Sequence, residues 1–75
     1  MTLDTLRICL DRRPFEPFKI ILSSGTIYEV RHPENAILMR GGLLVAYGGS
    51  NGELPDRFAH LSYLHIAAVE TIPPE

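Results

Sequence analysis

The stretch Phe18-Lys19-Ile20-Ile21-Leu22-Ser23-Ser24-Gly25-Thr26-Ile27-Tyr28-Glu29-Val30-Arg31 decides the fold. Phe18, Ile20 and Leu22 alternate with Lys19, Ile21 and Ser23, the period of two that separates the inward from the outward face of a half-buried strand. Ser23-Ser24-Gly25 interrupts the alternation, and Gly25 accepts a positive φ without steric cost, as a tight turn requires. From Thr26 to Arg31 the chain returns as a second strand with Tyr28 and Val30 toward the core. The stretch therefore predicts a β-hairpin.

On its N-terminal side, Pro14-Phe15-Glu16-Pro17 is a stiff extended entry, because each proline removes a donor and biases the preceding residue toward extended geometry. Upstream, Leu3, Leu6 and Leu10 fall on one helical stripe, predicting a helix over Thr2 to Arg13 that Pro14 stops. Asp4 suits its first turn and Arg12 and Arg13 its last, each complementing the partial charge of its helix end. A helix this short is marginal alone, so its leucine stripe must pack on the strands.

On the C-terminal side, His32-Pro33-Glu34-Asn35 marks a corner, since Pro33 cannot donate inside a ladder. Ala36 to Met39 and Leu43 to Tyr47 are apolar enough for strands, and Gly41-Gly42 between them is either a tight turn or a bulge in one longer bent strand. Gly48 to Asp56, with glycine, serine, asparagine and proline in close succession, predicts an exposed loop. Arg57 to Ser62 reads as a strand with Phe58 and His60 on one face and Ala59 and Leu61 on the other. Ile66 to Ile72 reads as the last strand, with Ile66, Ala68, Glu70 and Ile72 alternating against Ala67, Val69 and Thr71. Tyr63-Leu64-His65 joins the two as a sharp corner, too short for an ordinary loop.

The chain has 75 residues, 45% hydrophobic and 21% charged, which predicts one folded domain and not a disordered tail. A single cysteine, Cys9, excludes an internal disulfide framework, so self-association is the remaining source of extra stability. No basic segment leads into an apolar one at the N-terminus and no apolar run approaches bilayer length, so a cytoplasmic protein is expected. The net charge of −2 is not that of a protein that grips a duplex by its phosphates, and any nucleic-acid role must rest on a local cationic patch.

A helix, a strand, a glycine turn, a strand and a later strand pair joined by Tyr-x-His together resemble the Sm-like superfamily, particularly its bacterial Hfq-like branch. Ile20-Ile21-Leu22-Ser23-Ser24-Gly25 is similar to the first Sm motif, and Tyr63-Leu64-His65-Ile66 to the Tyr-Lys-His-Ala signature of Hfq, with Leu64 in place of the lysine. Arg13 to Phe18 and Leu64 to Ile66 also resemble small uncharacterised bacterial proteins with an Arg-Pro-Phe-x-Pro-Phe opening. The resemblance implies a mainly β fold: an N-terminal α-helix over residues 1–13, a strongly bent five-stranded antiparallel β-barrel over 14–72 and a tail over 73–75.

It also implies a homo-oligomeric ring, in which Arg57, Phe58, Ala59, His60, Leu61 and Ser62 of one subunit pair by main chain with Ile66, Ala67, Ala68, Val69, Glu70 and Thr71 of the next. Rings of this type bind nucleic acid because repetition multiplies weak contacts. Tyr63 and His65 are expected near the pore, suited to single-stranded RNA or DNA, with Lys19, Arg31, His32 and Arg40 adding charge. The competing expectation is a protein-interaction module that uses the ring or its Gly48 to Asp56 loops.

Structural roles compete for the same residues. Strand arginines are usually solvated surface, His65 can hold the strand joint together, and Tyr63 can serve packing. His32 and Glu34 do not converge with His60 or His65 on a metal, so no metal and no cofactor are expected. Cys9 lacks a base partner and suits a small apolar role, Ser23 and Ser24 are turn formers, and Gly48-Gly49-Ser50-Asn51-Gly52 lacks the lysine and helix of a phosphate-cradling loop. No enzymatic constellation is present, and an enzyme is not expected.

Overall fold

The computed structural model describes residues 3–49 and 54–73, so the middle of the expected Gly48 to Asp56 loop and the end of the tail lie outside the described residues. The chain runs through helix α1 (Leu3–Asp11), strands β1 (Phe18–Leu22) and β2 (Ile27–Val30), a 3₁₀ turn (Pro33–Asn35), β3 (Ala36–Leu38), β4 (Gly42–Tyr47), β5 (Arg57–Ser62), a second 3₁₀ turn (Tyr63–His65) and β6 (Ile66–Thr71). The predicted hairpin is β1 with β2, with Phe18 opposite Val30 and Ile20 opposite Tyr28. Gly25 takes φ +93° and donates its N–H to the Leu22 carbonyl at 2.8 Å, closing the turn.

The expected five-stranded Sm-like barrel is not formed. Six strands make two separate antiparallel three-stranded sheets, ordered β2-β1-β6 and β3-β4-β5, and no ladder joins them among the described residues. Three corners account for the difference. The chain turns at Arg40-Gly41, with no bulge, and Gly42 opens β4 with its carbonyl accepting from the Met39 N–H at 2.9 Å, so the segment forms two strands. The 3₁₀ turn at Pro33 separates β2 from β3, and the one at Tyr63 separates β5 from β6, so each sheet stops at three strands.

The two sheets and the helix share one core. Leu6 and Leu10 come from α1, Phe18, Ile20, Val30 and Ile66 from the first sheet, and Ala36, Leu43, Val45 and Leu61 from the second. Phe18, Leu6, Ile20, Leu43, Val30 and Val45 are fully buried, each worth about 1.5–3 kcal/mol of apolar transfer before the entropy of ordering is subtracted. Tyr28 meets Tyr47 edge to face at 5.4 Å between ring centroids, tying β2 to β4 across the gap between sheets.

The helix stops at Asp11, short of the predicted Arg13, and both arginines lie beyond it. Arg13 still serves the helix end, because its Nη1 donates to the carbonyls of Leu10 at 2.8 Å and Arg12 at 2.7 Å, satisfying acceptors that the last turn leaves open. The alternation expected for β6 also fails at one point. Ile21 pairs with Ala68 but Leu22 with Ile66, so Ala67 is an extra residue and the phase shifts across it. Ile66 and Val69 consequently face the core, while Ala67 and Glu70 are exposed.

Gly42 is required where it stands. A Cβ there would meet the Leu61 carbonyl oxygen and lie 2.9 Å from the His60 ring, whereas nothing approaches a Cβ at Gly41. Gly42→Ala is expected to lower stability by about 1–3 kcal/mol, the usual cost of overpacking, with Gly41→Ala nearly neutral. Urea denaturation of the two variants checks this, and equal midpoints would contradict the packing described.

Candidate functional site

Among the described residues both β5 and β6 lie at the edge of a sheet, and ladder geometry gives the main-chain groups that face away from their partners. In an antiparallel ladder, successive residues aim their N–H and C=O groups alternately to the two sides. The Ile72 N–H donates to the Pro17 carbonyl at 3.0 Å, so Ile72, Glu70 and Ala68 turn toward β1. Val69 and Thr71 therefore turn their main-chain groups to the open side of β6. On the other sheet, the Gly42 carbonyl accepts from β3, so Leu43, Val45 and Tyr47 turn toward β5 and meet Leu61, Ala59 and Arg57. Phe58, His60 and Ser62 are left facing the open side of β5.

These edges leave one joint in opposite senses. The Tyr63–His65 turn is fixed by the Ser62 hydroxyl, which accepts from the Leu64 N–H at 3.3 Å, and by the Ile66 N–H donating to the Tyr63 carbonyl. Tyr63 Oη donates to the Met39 carbonyl at 2.6 Å, and the Ser23 N–H donates to the His65 carbonyl at 2.8 Å. Three connections are thereby drawn to one end of the molecule: the Ser23 to Thr26 turn, the Met39 to Gly41 turn and the 63–65 joint.

The expected nucleic-acid residues do not all gather there. Arg40 and His65 share that end and are exposed, and Tyr63 joins them as a structural donor to Met39. Arg31 and His32 follow the far end of β2, so the strand lengths separate them from Tyr63 and His65. Lys19 sits mid-sheet, opposite Glu29 on one side and Glu70 on the other, with Nζ 3.5 Å from Glu70. Arg31 pairs with Glu29 at 3.0 Å. These exposed pairs are each worth about 0–1 kcal/mol, but they place carboxylates beside the cations that a phosphate would seek. Leu64 is 91% exposed between Tyr63 and His65.

A groove of about 610 Å³ lies at the opposite end of the first sheet, lined by Phe15, Pro17, Arg31, Thr71, Ile72 and Pro73 among others. Phe15 is held there by a tilted contact with the buried Phe18, 6.0 Å between ring centroids. The groove was not legible in the sequence, because it depends on the β1 entry, the end of β2 and the end of β6 meeting. Among the described residues there is no group of three or more His, Cys, Asp or Glu that could hold a metal ion, and no helix long and apolar enough to cross a membrane.

The chain matches no protein-family model, no curated protein and no solved structure. The open edges and the Arg40/His65 end therefore carry the functional reading by their geometry alone.

Tyr63→Phe is expected to cost about 1 kcal/mol of unfolding free energy by removing the bond to Met39. Urea denaturation measures this, and unchanged stability would show that the hydroxyl does not hold the joint.

Proposed function

We propose that the protein is a homo-oligomeric ring former whose copies join β5 edge to β6 edge, and that the ring presents Arg40 and His65 repeatedly to single-stranded nucleic acid. The observation that carries the assembly is that, among the described residues, β5 and β6 are edges of different sheets, with the main-chain groups of Phe58, His60, Val69 and Thr71 facing away from their own ladders. An open edge is a template for another chain, and joining unlike edges by a rotation gives a closed ring when the rotation closes. Because β5 runs toward the Tyr63–His65 joint and β6 away from it, rotated copies meet with these strands antiparallel. The proposal keeps the strand-pair logic of the Sm-like resemblance without its closed barrel.

Nucleic-acid contact is supported by the exposure of Arg40 and His65 at one end, where repetition multiplies a cation and an imidazole per chain. A second reading, a protein-interaction ring without nucleic acid, is favoured by the carboxylates beside Lys19 and Arg31 and by the net charge of −2. Light scattering at low salt, with and without a short single-stranded oligonucleotide, separates the two. An assembly that gains oligonucleotide mass, and loses it on Arg40→Ala or on raising salt, supports the first reading. An assembly inert to oligonucleotide leaves the second.

Val69→Pro tests the edge itself. Its N–H faces the open side of β6, so proline there removes an edge donor and leaves the β1 ladder intact. The variant is expected to stay folded by circular dichroism and to scatter as a monomer. An assembly of unchanged mass would refute β6 as a pairing edge.

A further inference from the structure

We infer that Phe58 of one copy is the anchor of the assembly and seats in the groove beside Thr71 of the next copy; this rests on the edge pairing proposed above. The inference follows from register. Hydrogen-bonded pairs across the new junction can form only between residues that both face it, which are Phe58, His60 and Ser62 on β5 and Val69 and Thr71 on β6. Of the registers that pair both Val69 and Thr71, the one with the longer strand overlap sets Phe58 opposite Thr71 and His60 opposite Val69. Residues directly opposite place their side chains on the same face. Phe58 leaves the outer face of its own sheet, whereas Val69 packs on its core, so the junction carries Phe58 onto the core side of the neighbour's sheet.

Thr71 lines the groove, whose walls add the apolar surfaces of Phe15, Pro17, Ile72 and Pro73. Its volume of about 610 Å³ admits an aromatic ring. In the single chain Phe58 is 72% exposed, a large aromatic on the open side of an edge strand. Aromatic residues that fill a desolvated pocket on the partner are enriched among the side chains that carry an interface's binding energy. The same junction places His60 beside Val69, where its ring, lying against Gly42 in its own chain, would flank the seam.

The test is the dissociation constant of the assembly by dilution, for wild type, Phe58→Ala, and Pro73→Asp on the groove side. Phe58 and Pro73 are exposed in the single chain, so both variants are expected to melt as the dilute wild-type protein does. Each is expected to dissociate about thirtyfold or more readily than wild type. Dissociation of Phe58→Ala at the wild-type concentration would overturn the anchor while leaving edge pairing standing. Weakening by Phe58→Ala but not by Pro73→Asp would overturn the groove as its seat. A wild-type protein that is monomeric at every concentration would overturn the pairing and the anchor together.

Discussion

The Tyr63–His65 joint is the constraint on which the rest of the structure depends. The 3₁₀ turn does not fold β6 back beside β5 as a hairpin would, and it delivers the two strands to different sheets. Its geometry is held by bonds to three parts of the chain: Ser62 before it, Met39 in the turn after β3 and Ser23 in the turn after β1. Splitting the strands lets two small sheets and a helix close over a single apolar core, which a domain of this length needs. The same split leaves both strands as edges. What stabilises the single chain thus creates its capacity to pair with another.

Charge placement shapes what such an assembly can bind. The row Glu29, Lys19, Glu70 across the outer face of the first sheet carries two carboxylates around one ammonium, and Arg31 shares Glu29. That face is unsuited to phosphate. Arg40, at the end it shares with His65, is exposed and has no ion pair among the described residues. A single copy presents too little charge there for tight binding, so any nucleic-acid affinity depends on repetition around the ring.

The hairpin was legible because the spacing of Phe18, Ile20 and Leu22 and Gly25 at the turn agree in period and turn chemistry, and the leucine stripe likewise marked the helix. The corners were legible as positions but not as consequences. Pro33 and Gly41-Gly42 announced breaks, yet whether the strands on either side continue one sheet depends on long-range pairing, which no local pattern encodes. For that reason a closed barrel was expected and two open sheets are found. The bulge at Ala67 escaped because Ile66, Ala67, Ala68 and Val69 are all apolar and give no phase. The candidate site was legible in its strand edges, whereas the neutralisation of Lys19 and Arg31 required the register that brings Glu29 and Glu70 alongside. Phe58 did leave a signal: it breaks phase with Leu61 on the same strand, an apolar residue on the outer face of an edge.

The most direct measurement is amide hydrogen exchange, resolved by residue, at concentrations above and below assembly. Edge pairing predicts that the amides of Phe58, His60, Val69 and Thr71, which face away from their own sheets, become protected only in the assembled protein, while those of Ala59, Leu61 and Glu70 are protected in both. Exchange at Phe58 and Val69 that stays as fast in the concentrated protein as in the dilute one would contradict the pairing of these edges.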